Sequence, residues 1–348
     1  MKDAYLVFEN GKIFQGFSFG WEAETVGEAV FTTATTGYLE ELTDPANYGK
    51  ILVHTFPEIG NCGRILADAQ SDTVWAKAIV AREFCEKPSN YRMDGTLKEF
   101  LLDHKLPAVC GVDTRAITRM LRDYGEMNVQ IVFDLKRAKD LSEIASFRVT
   151  DAVKCVSVMA ETQYLVNNAT KKVALIDYGT KISLIKELNK KGISVVRYPY
   201  SVTAEEILGA GFDGVVLSDG VGNAGEYVAQ QEVVCRLYGK LPVFGIGFGH
   251  LLMAAALGGK IERMKFGHRG ENQPVKITGL RTFMTAQNHS YVVSELPKDG
   301  TADMYNLNDG TIEGIAYANK AFTVQYQPGG CGGPEDTAFL FDRFMQML

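Results

Sequence analysis

The chain has 348 residues, 46% hydrophobic and 22% charged, with a formal net charge of −6. That length allows two domains, each with a buried core, and a mildly acidic chain without a basic patch excludes nucleic acid as an expected partner. No apolar run reaches the length of a membrane span, and the opening MKDAYLVFENGKIFQG lacks the apolar run and cleavage pattern of a signal peptide, so a cytoplasmic protein with no membrane contact is expected.

Tyr5–Phe8 and Lys12–Gln15 read as two strands around the turn Glu9-Asn10-Gly11. A polar, Gly- and Thr-rich run follows from Phe31 to Lys50, then a strand over Ile51–Phe56 and an apolar run over Val74–Arg82. Thr96 with Glu99 forms a capping box ahead of Leu97, Phe100 and Leu101, which predicts a helix to His104. Asp113 or Thr114 can cap a second helix that stops at Gly125. Its apolar face is Ala116, Ile117, Met120 and Leu121. Arg115, Arg119 and Arg122 line another face, either a solvated stripe or a surface for acidic groups of a partner. Residues 1–150 are taken as one domain and 151–171, which lacks periodicity, as a linker.

From 172 to 348 the rhythm changes to alternating strand and helix, the sign of a parallel sheet. Strands are expected at Val173–Asp177, Ile193–Tyr198, Gly214–Ser218 and Pro242–Ile246, with helices at Lys181–Lys191, Thr203–Ala210 and Glu226–Tyr238 between them. Short strands are expected after Gly258, then a strand at Ala321–Tyr326. A last helix begins at Glu335-Asp336, with Phe339, Leu340, Phe344 and Met347 facing inward. Open sheets of this kind bind ligands at the carboxyl ends of their strands. The loop Ser218–Ala224, with Gly220 and Gly222, and the stretch after Ile246 both lie there.

That second stretch carries the chemistry. Gly245, Gly247 and Gly249 recur at every second position between a short strand and a small-residue helix. This is the spacing of a nucleophile elbow, whose middle residue carries the attacking group. Here the middle residue is Gly247, which has no side chain. The pattern G-x-G-x-G does not match a dinucleotide fingerprint, and no G-K-[ST] follows for a phosphate loop. The five histidines and six cysteines show no ligand spacing, so reduced thiols and no metal are expected. A nucleophilic hydrolase needs a thiol or hydroxyl, a base within hydrogen-bond reach and an orienting third group. His250, three residues after the elbow, caps or packs more readily than it acts. His289 is a structural hydrogen-bonder or a base. Cys331 sits in a glycine run with no histidine beside it.

Over nearly its whole length the chain resembles the small, glutamine-hydrolysing subunit of carbamoyl phosphate synthetase. The N-terminal carriers are Thr36-Gly37-Tyr38, Leu42-Thr43-Asp44-Pro45, Ile59-Gly60-Asn61 and Asp113-Thr114-Arg115 with Thr118-Arg119. The C-terminal ones are Asp177-Tyr178-Gly179, Gly220/Gly222, Gly245-Ile246 with Gly249-His250, Phe266–Gly270, Gln287-Asn288-His289 and Val324-Gln325-Tyr326. The resemblance implies an α/β chain with an N-terminal mixed α/β domain that docks on a partner. A class I glutamine amidotransferase domain with a mostly parallel sheet would follow. It implies a Cys–His–Glu triad that cleaves glutamine, and ammonia transfer to a large subunit for arginine or pyrimidine synthesis. ATP and magnesium would bind only that large subunit, with no cofactor in this chain.

Against that pattern several positions depart. The cysteine position is Gly247, and the family's histidine and glutamate after the last strand correspond to Gln327 and Gly329. A glutamine contact after the histidine is Leu251, a glutamine-touching serine is Ala46, and a loop proline is Val221. Gly220, Gly222 and the Phe248 amide, the last two matching the family's oxyanion hole, remain with Asn288, Ser290 and Tyr291 around the pocket. The expectation is a pseudo-glutaminase that supports or regulates an ammonia-using large subunit. The alternatives are a free-standing binding module for a small ligand or a protein, and an active glutaminase with a relocated nucleophile such as Cys331.

Overall fold

The computed structural model describes residues 2–330 and 332–348; Cys331 lies outside the described residues. The chain divides into two compact units that part between Thr150 and Asp151.

The first unit is built on a closed barrel. Its strands run, in spatial order, Asp3–Phe8, Ile13–Ser18, Ala108–Cys110, Ala78–Val80, Lys50–His54, Thr25–Thr32 and Met127–Val132. The expected hairpin forms, with Tyr5 opposite Gln15 and Leu6 opposite Phe14. Leu6, Phe8, Ile51, Val53 and Ile131 share one core with Ile117, Met120 and Leu121 of the helix Thr114–Tyr124. That helix starts where the Asp113 carboxylate accepts a hydrogen bond from the Ala116 amide (2.9 Å). It ends at Gly125 with φ 99°, a backbone state that favours glycine. Arg115, Arg119 and Arg122 are all exposed. The capping box of Thr96 and Glu99 opens the helix Leu97–Asp103 as expected. The polar run after Phe31 holds the short helix Tyr38–Leu42 and the 3-10 turn Pro45–Asn47.

The second unit is a ten-stranded sheet. Five central strands are parallel, in the order Ile193–Pro199, Lys171–Tyr178, Gly214–Gly220, Val243–Ile246 and Ala321–Val324. Thr162–Tyr164 adds antiparallel to the first of them. Ile312–Tyr317, Gly300–Asn306, Lys260–Ile277 and Thr282–Glu295 extend the other side antiparallel. One face packs under Leu252, Met253 and Ala254 of the helix Phe248–Ala256. The other packs on Ile185, Leu188, Leu340, Phe341 and Phe344.

Three details differ from the sequence-based expectation. Residues 151–171 are not a linker. They carry the helix Ala152–Val156 and the edge strand Thr162–Tyr164 of the second unit. The reason is Asp177, whose carboxylate has no access to water and must be paired. It accepts hydrogen bonds from the amides of Val158 (2.6 Å), Gly179 (3.1 Å) and Thr180 (2.8 Å), and pairs with Arg197 (2.8 Å). The segment is thereby tied to the sheet.

The expected short strands after Gly258 include two long ones, Lys260–Ile277 and Thr282–Glu295. Register shifts between Arg263/His268 and Gly270/Gln273 break the alternation that would have marked them. The last helix spans Phe339–Met347. Leu340, Phe341 and Phe344 face inward, whereas Phe339 is exposed and Met347 is only half-buried.

Replacing Asp177 by Ala would leave the Arg197 guanidinium, 15% exposed, without its partner. Breaking such a buried pair costs about 3–5 kcal/mol. Urea unfolding followed on the second unit should show a midpoint lowered accordingly; an unchanged midpoint would contradict the role assigned to Asp177.

Candidate active site

The carboxyl ends of the parallel strands bring together the segments after Tyr178, Gly220, Ile246 and Val324. At the centre is Gly247, with φ 53° and ψ −107°, immediately before the helix Phe248–Ala256. Its amide donates to the Val324 carbonyl (2.8 Å), which fixes the turn against the neighbouring strand. Gly249 is required for a different reason. A Cβ there would stand 2.3 Å from the Leu217 carbonyl oxygen, so only glycine lets the helix lie this close to the strand. The strained strand-to-helix turn of a nucleophile elbow is therefore formed, without a side chain at its tip.

A different group stands over that tip. The Asp219 carboxylate accepts a hydrogen bond at Oδ1 from the Phe248 amide (3.1 Å). At Oδ2 it pairs with the Lys181 ammonium (2.7 Å) and accepts from the Gln327 side-chain amide. The side chains of Lys181 and Asp219 are only 3% and 6% exposed. An ion pair this deep survives only when its remaining hydrogen-bonding capacity is met, and here Phe248 and Gln327 contribute to meeting it.

Sequence reasoning singled out neither Asp219 nor Lys181. Asp219 was visible only as a member of the loop Ser218–Ala224, and Lys181 only as the start of a helix. The signal that could have found Asp219 is its place, directly after the apolar run of a buried strand and at its carboxyl end.

Gln327 reaches the elbow through Asp219. Gly329 lies two residues on, where a Cβ would meet Glu187 Cγ at 3.0 Å. Gly220 sits with its Cα against the Tyr178 backbone, and Gly222 is exposed with φ 94°. Val221 and Leu251 are buried. The Phe248 ring packs on Tyr178 (5.2 Å between centroids) and Tyr227 (5.4 Å). Asn288, Ser290 and Tyr291 lie on the strand Thr282–Glu295. Ser290 Oγ accepts from the Arg269 guanidinium (2.5 Å), and the Tyr291 carbonyl accepts from His289 Nδ1 (3.0 Å). Ala46 belongs to the first unit, in the turn capped by Asp44, and is buried.

The histidines are engaged as structure. His250 Nδ1 lies 2.7 Å from Thr323 Oγ1, and both residues have no exposed surface. This hydroxyl–imidazole pair is under the elbow, where substrate cannot reach it. Burial pushes the His250 pKa down to about 3, so the ring is neutral. His268, His289 and Glu313 offer donor atoms within 4.8 Å of one another, the residue types of a metal site. Each histidine is already hydrogen-bonded: His268 to Asp309 (2.9 Å), and His289 to Gln287 (3.0 Å) and the Tyr291 carbonyl. Burial disfavours the charge on His268, but Glu313 and then Asp309 outweigh it and raise its pKa. Burial, and then the charge on His268, hold His289 well below the usual range.

A family model described as carbamoyl-phosphate synthase small chain, CPSase domain, matches residues 6–131. One described as glutamine amidotransferase class-I matches residues 174–347. The chain is 40% identical over 346 residues to the carbamoyl phosphate synthase small chain of Clostridium perfringens, covering 99% of each. It is 41% identical over 354 residues to the carbamoyl phosphate synthase pyrimidine-specific small chain of Bacillus subtilis, covering 99% of this chain and 95% of that one. Among solved structures, a glutamine amidotransferase from Thermotoga maritima is similar at 19% identity and a TM-score of 0.39, over 51% of this chain and 80% of that one.

The buried neutral histidines set a pH dependence. Unfolded histidine binds a proton below its ordinary pKa of 6.5, whereas folded His250 does so only near 3. Stability is therefore present above 6.5 and is lost as pH falls toward 3. His268 acts in the opposite sense, stabilising below 6.5 and losing that contribution as pH rises through its raised pKa. In His250→Gln the fall of unfolding free energy between pH 6.5 and pH 3 should be shallower than in the parent. Equal slopes in urea titrations across that range would contradict the assignment.

Proposed function

The chain belongs to the carbamoyl phosphate synthase small chain family, and within it we propose that it acts as a docking subunit that no longer cleaves glutamine. The observation that carries this reading is the elbow itself. Its tip is Gly247, and the positions that resemble the family's base and orienting acid are Gln327 and Gly329. None of the three side chains can attack a carbonyl or take a proton. In a comparable hydrolase, loss of the nucleophile or of the base alone costs on the order of a million-fold in turnover. Here all three positions have changed, and Ala46 and Leu251 are apolar where the resemblance expects polar contacts.

Two features support a role on a large subunit. The N-terminal motifs of the small chain persist, and Arg115, Arg119 and Arg122 form an exposed row on the helix Thr114–Tyr124, suited to acidic groups of a partner. On this reading the large subunit binds ATP and magnesium, draws on free ammonia in the cytoplasm, and is stabilised or regulated by this chain. No helix among the described residues is long and apolar enough to cross a membrane.

The test is to co-express this chain with a carbamoyl phosphate synthase large subunit and isolate the complex. Carbamoyl phosphate formation is then measured with ammonium chloride and with glutamine. The expected result is a stable complex that works with ammonia and not with glutamine. Glutamine-dependent synthesis without added ammonia would overturn the loss of hydrolysis, and failure to form a complex would overturn the docking role. Gly247→Cys alone should leave glutamine turnover at the parent's level, because Gln327 cannot serve as a base; a substantially active single variant would contradict the assignment of the other two positions.

A further inference from the structure

We propose that the elbow is a carboxylate-binding site occupied by its own chain, with Asp219 as the internal ligand. This rests on the reading that the elbow no longer cleaves glutamine, and adds what has taken the substrate's place. Three donors from three separate elements converge on one carboxylate. The Phe248 amide, at the start of a nine-residue helix, binds Oδ1, and the Lys181 ammonium and the Gln327 amide bind Oδ2. Backbone N–H groups at a helix N-terminus, together with an ammonium, are the usual components of an anion site. Asp219 is 5% exposed and Lys181 2%, so water competes weakly for either.

The occupant also excludes the missing nucleophile. A Cβ built on Gly247 would stand 2.0 Å from Asp219 Oδ1 and 2.7 Å from its Cγ. Any side chain at 247 and the Asp219 carboxylate claim the same space. The same carboxylate ties up the Phe248 amide that would stabilise an oxyanion. A carboxamide oxygen is neutral and accepts weaker hydrogen bonds than a carboxylate paired with an ammonium, so it cannot displace Asp219. Asp219 is thus a specificity-determining residue: it keeps amides out of the site independently of the lost triad.

Emptying the site should expose its affinity. In Asp219→Ala the Phe248 amide, Lys181 and Gln327 face a vacancy the size of a small carboxylate. Acetate and formate serve as probes, with sodium chloride at equal ionic strength as the control. Isothermal titration and thermal unfolding of the full chain should show saturable acetate binding by the variant, about tenfold or more tighter than by the parent. Adding Lys181→Met should abolish it. Asp219→Asn keeps the volume and removes the negative charge beside the ammonium, so it replaces the alanine variant if that chain does not fold, and should bind acetate more weakly but measurably. Equal responses of parent and variants, or no response in a folded variant, would overturn the proposal. Glutamine hydrolysis by the parent would overturn the proposed function instead, and is read in a separate assay.

Discussion

The helix Phe248–Ala256 can lie against the strand Gly214–Gly220 only because position 249 carries no side chain. Gly249 lets the helix backbone approach the Leu217 carbonyl, where a Cβ would stand at 2.3 Å. Gly247 takes a positive φ that turns the chain from strand to helix in one residue. With those two positions fixed, the Phe248 amide points out at the carboxyl ends of the parallel strands. The loops carrying Lys181, Asp219 and Gln327 meet at the same edge. The architecture of an acyl-transfer site is thus a packing requirement of the second unit. It persists whether or not a nucleophile is mounted on it.

Buried charge is the second organising constraint. Asp177 and Asp219 stand at the carboxyl ends of the strands Lys171–Tyr178 and Gly214–Gly220, and both are almost fully removed from water. Each is held by one cation and by amide donors, Arg197 with three backbone amides for Asp177, and Lys181 with Phe248 and Gln327 for Asp219. Such pairs contribute little net stability compared with apolar packing, but removing one partner is costly. They therefore act as registers: Asp177 ties residues 151–171 to the sheet, and Asp219 ties the end of the strand Gly214–Gly220 to the elbow.

Features with local causes were legible in the sequence. The capping box at Thr96 marks a helix start because donor and acceptor lie three residues apart. The elbow is visible because its glycines recur at every second position from the end of a strand into the following helix. Features with distant causes were not legible. Asp219 meets partners 29, 38 and 108 positions away, and no spacing within its loop announces that its side chain turns inward. Residues 151–171 show no periodicity, yet they are ordered through Asp177 and through the Tyr200 amide, which donates to Ser157 Oγ. The long pair Lys260–Ile277 and Thr282–Glu295 is hidden by its own register shifts. The resemblance identified which groups are missing at 247, 327 and 329; it could not identify what occupies the space.

The central claim is that the elbow has kept its backbone and no longer receives glutamine. Its most direct test is equilibrium binding of radiolabelled glutamine to the intact chain, with glutamate release followed in the same samples. The account predicts no saturable binding up to millimolar glutamine and no glutamate above the buffer blank. Saturable binding accompanied by glutamate release would contradict it.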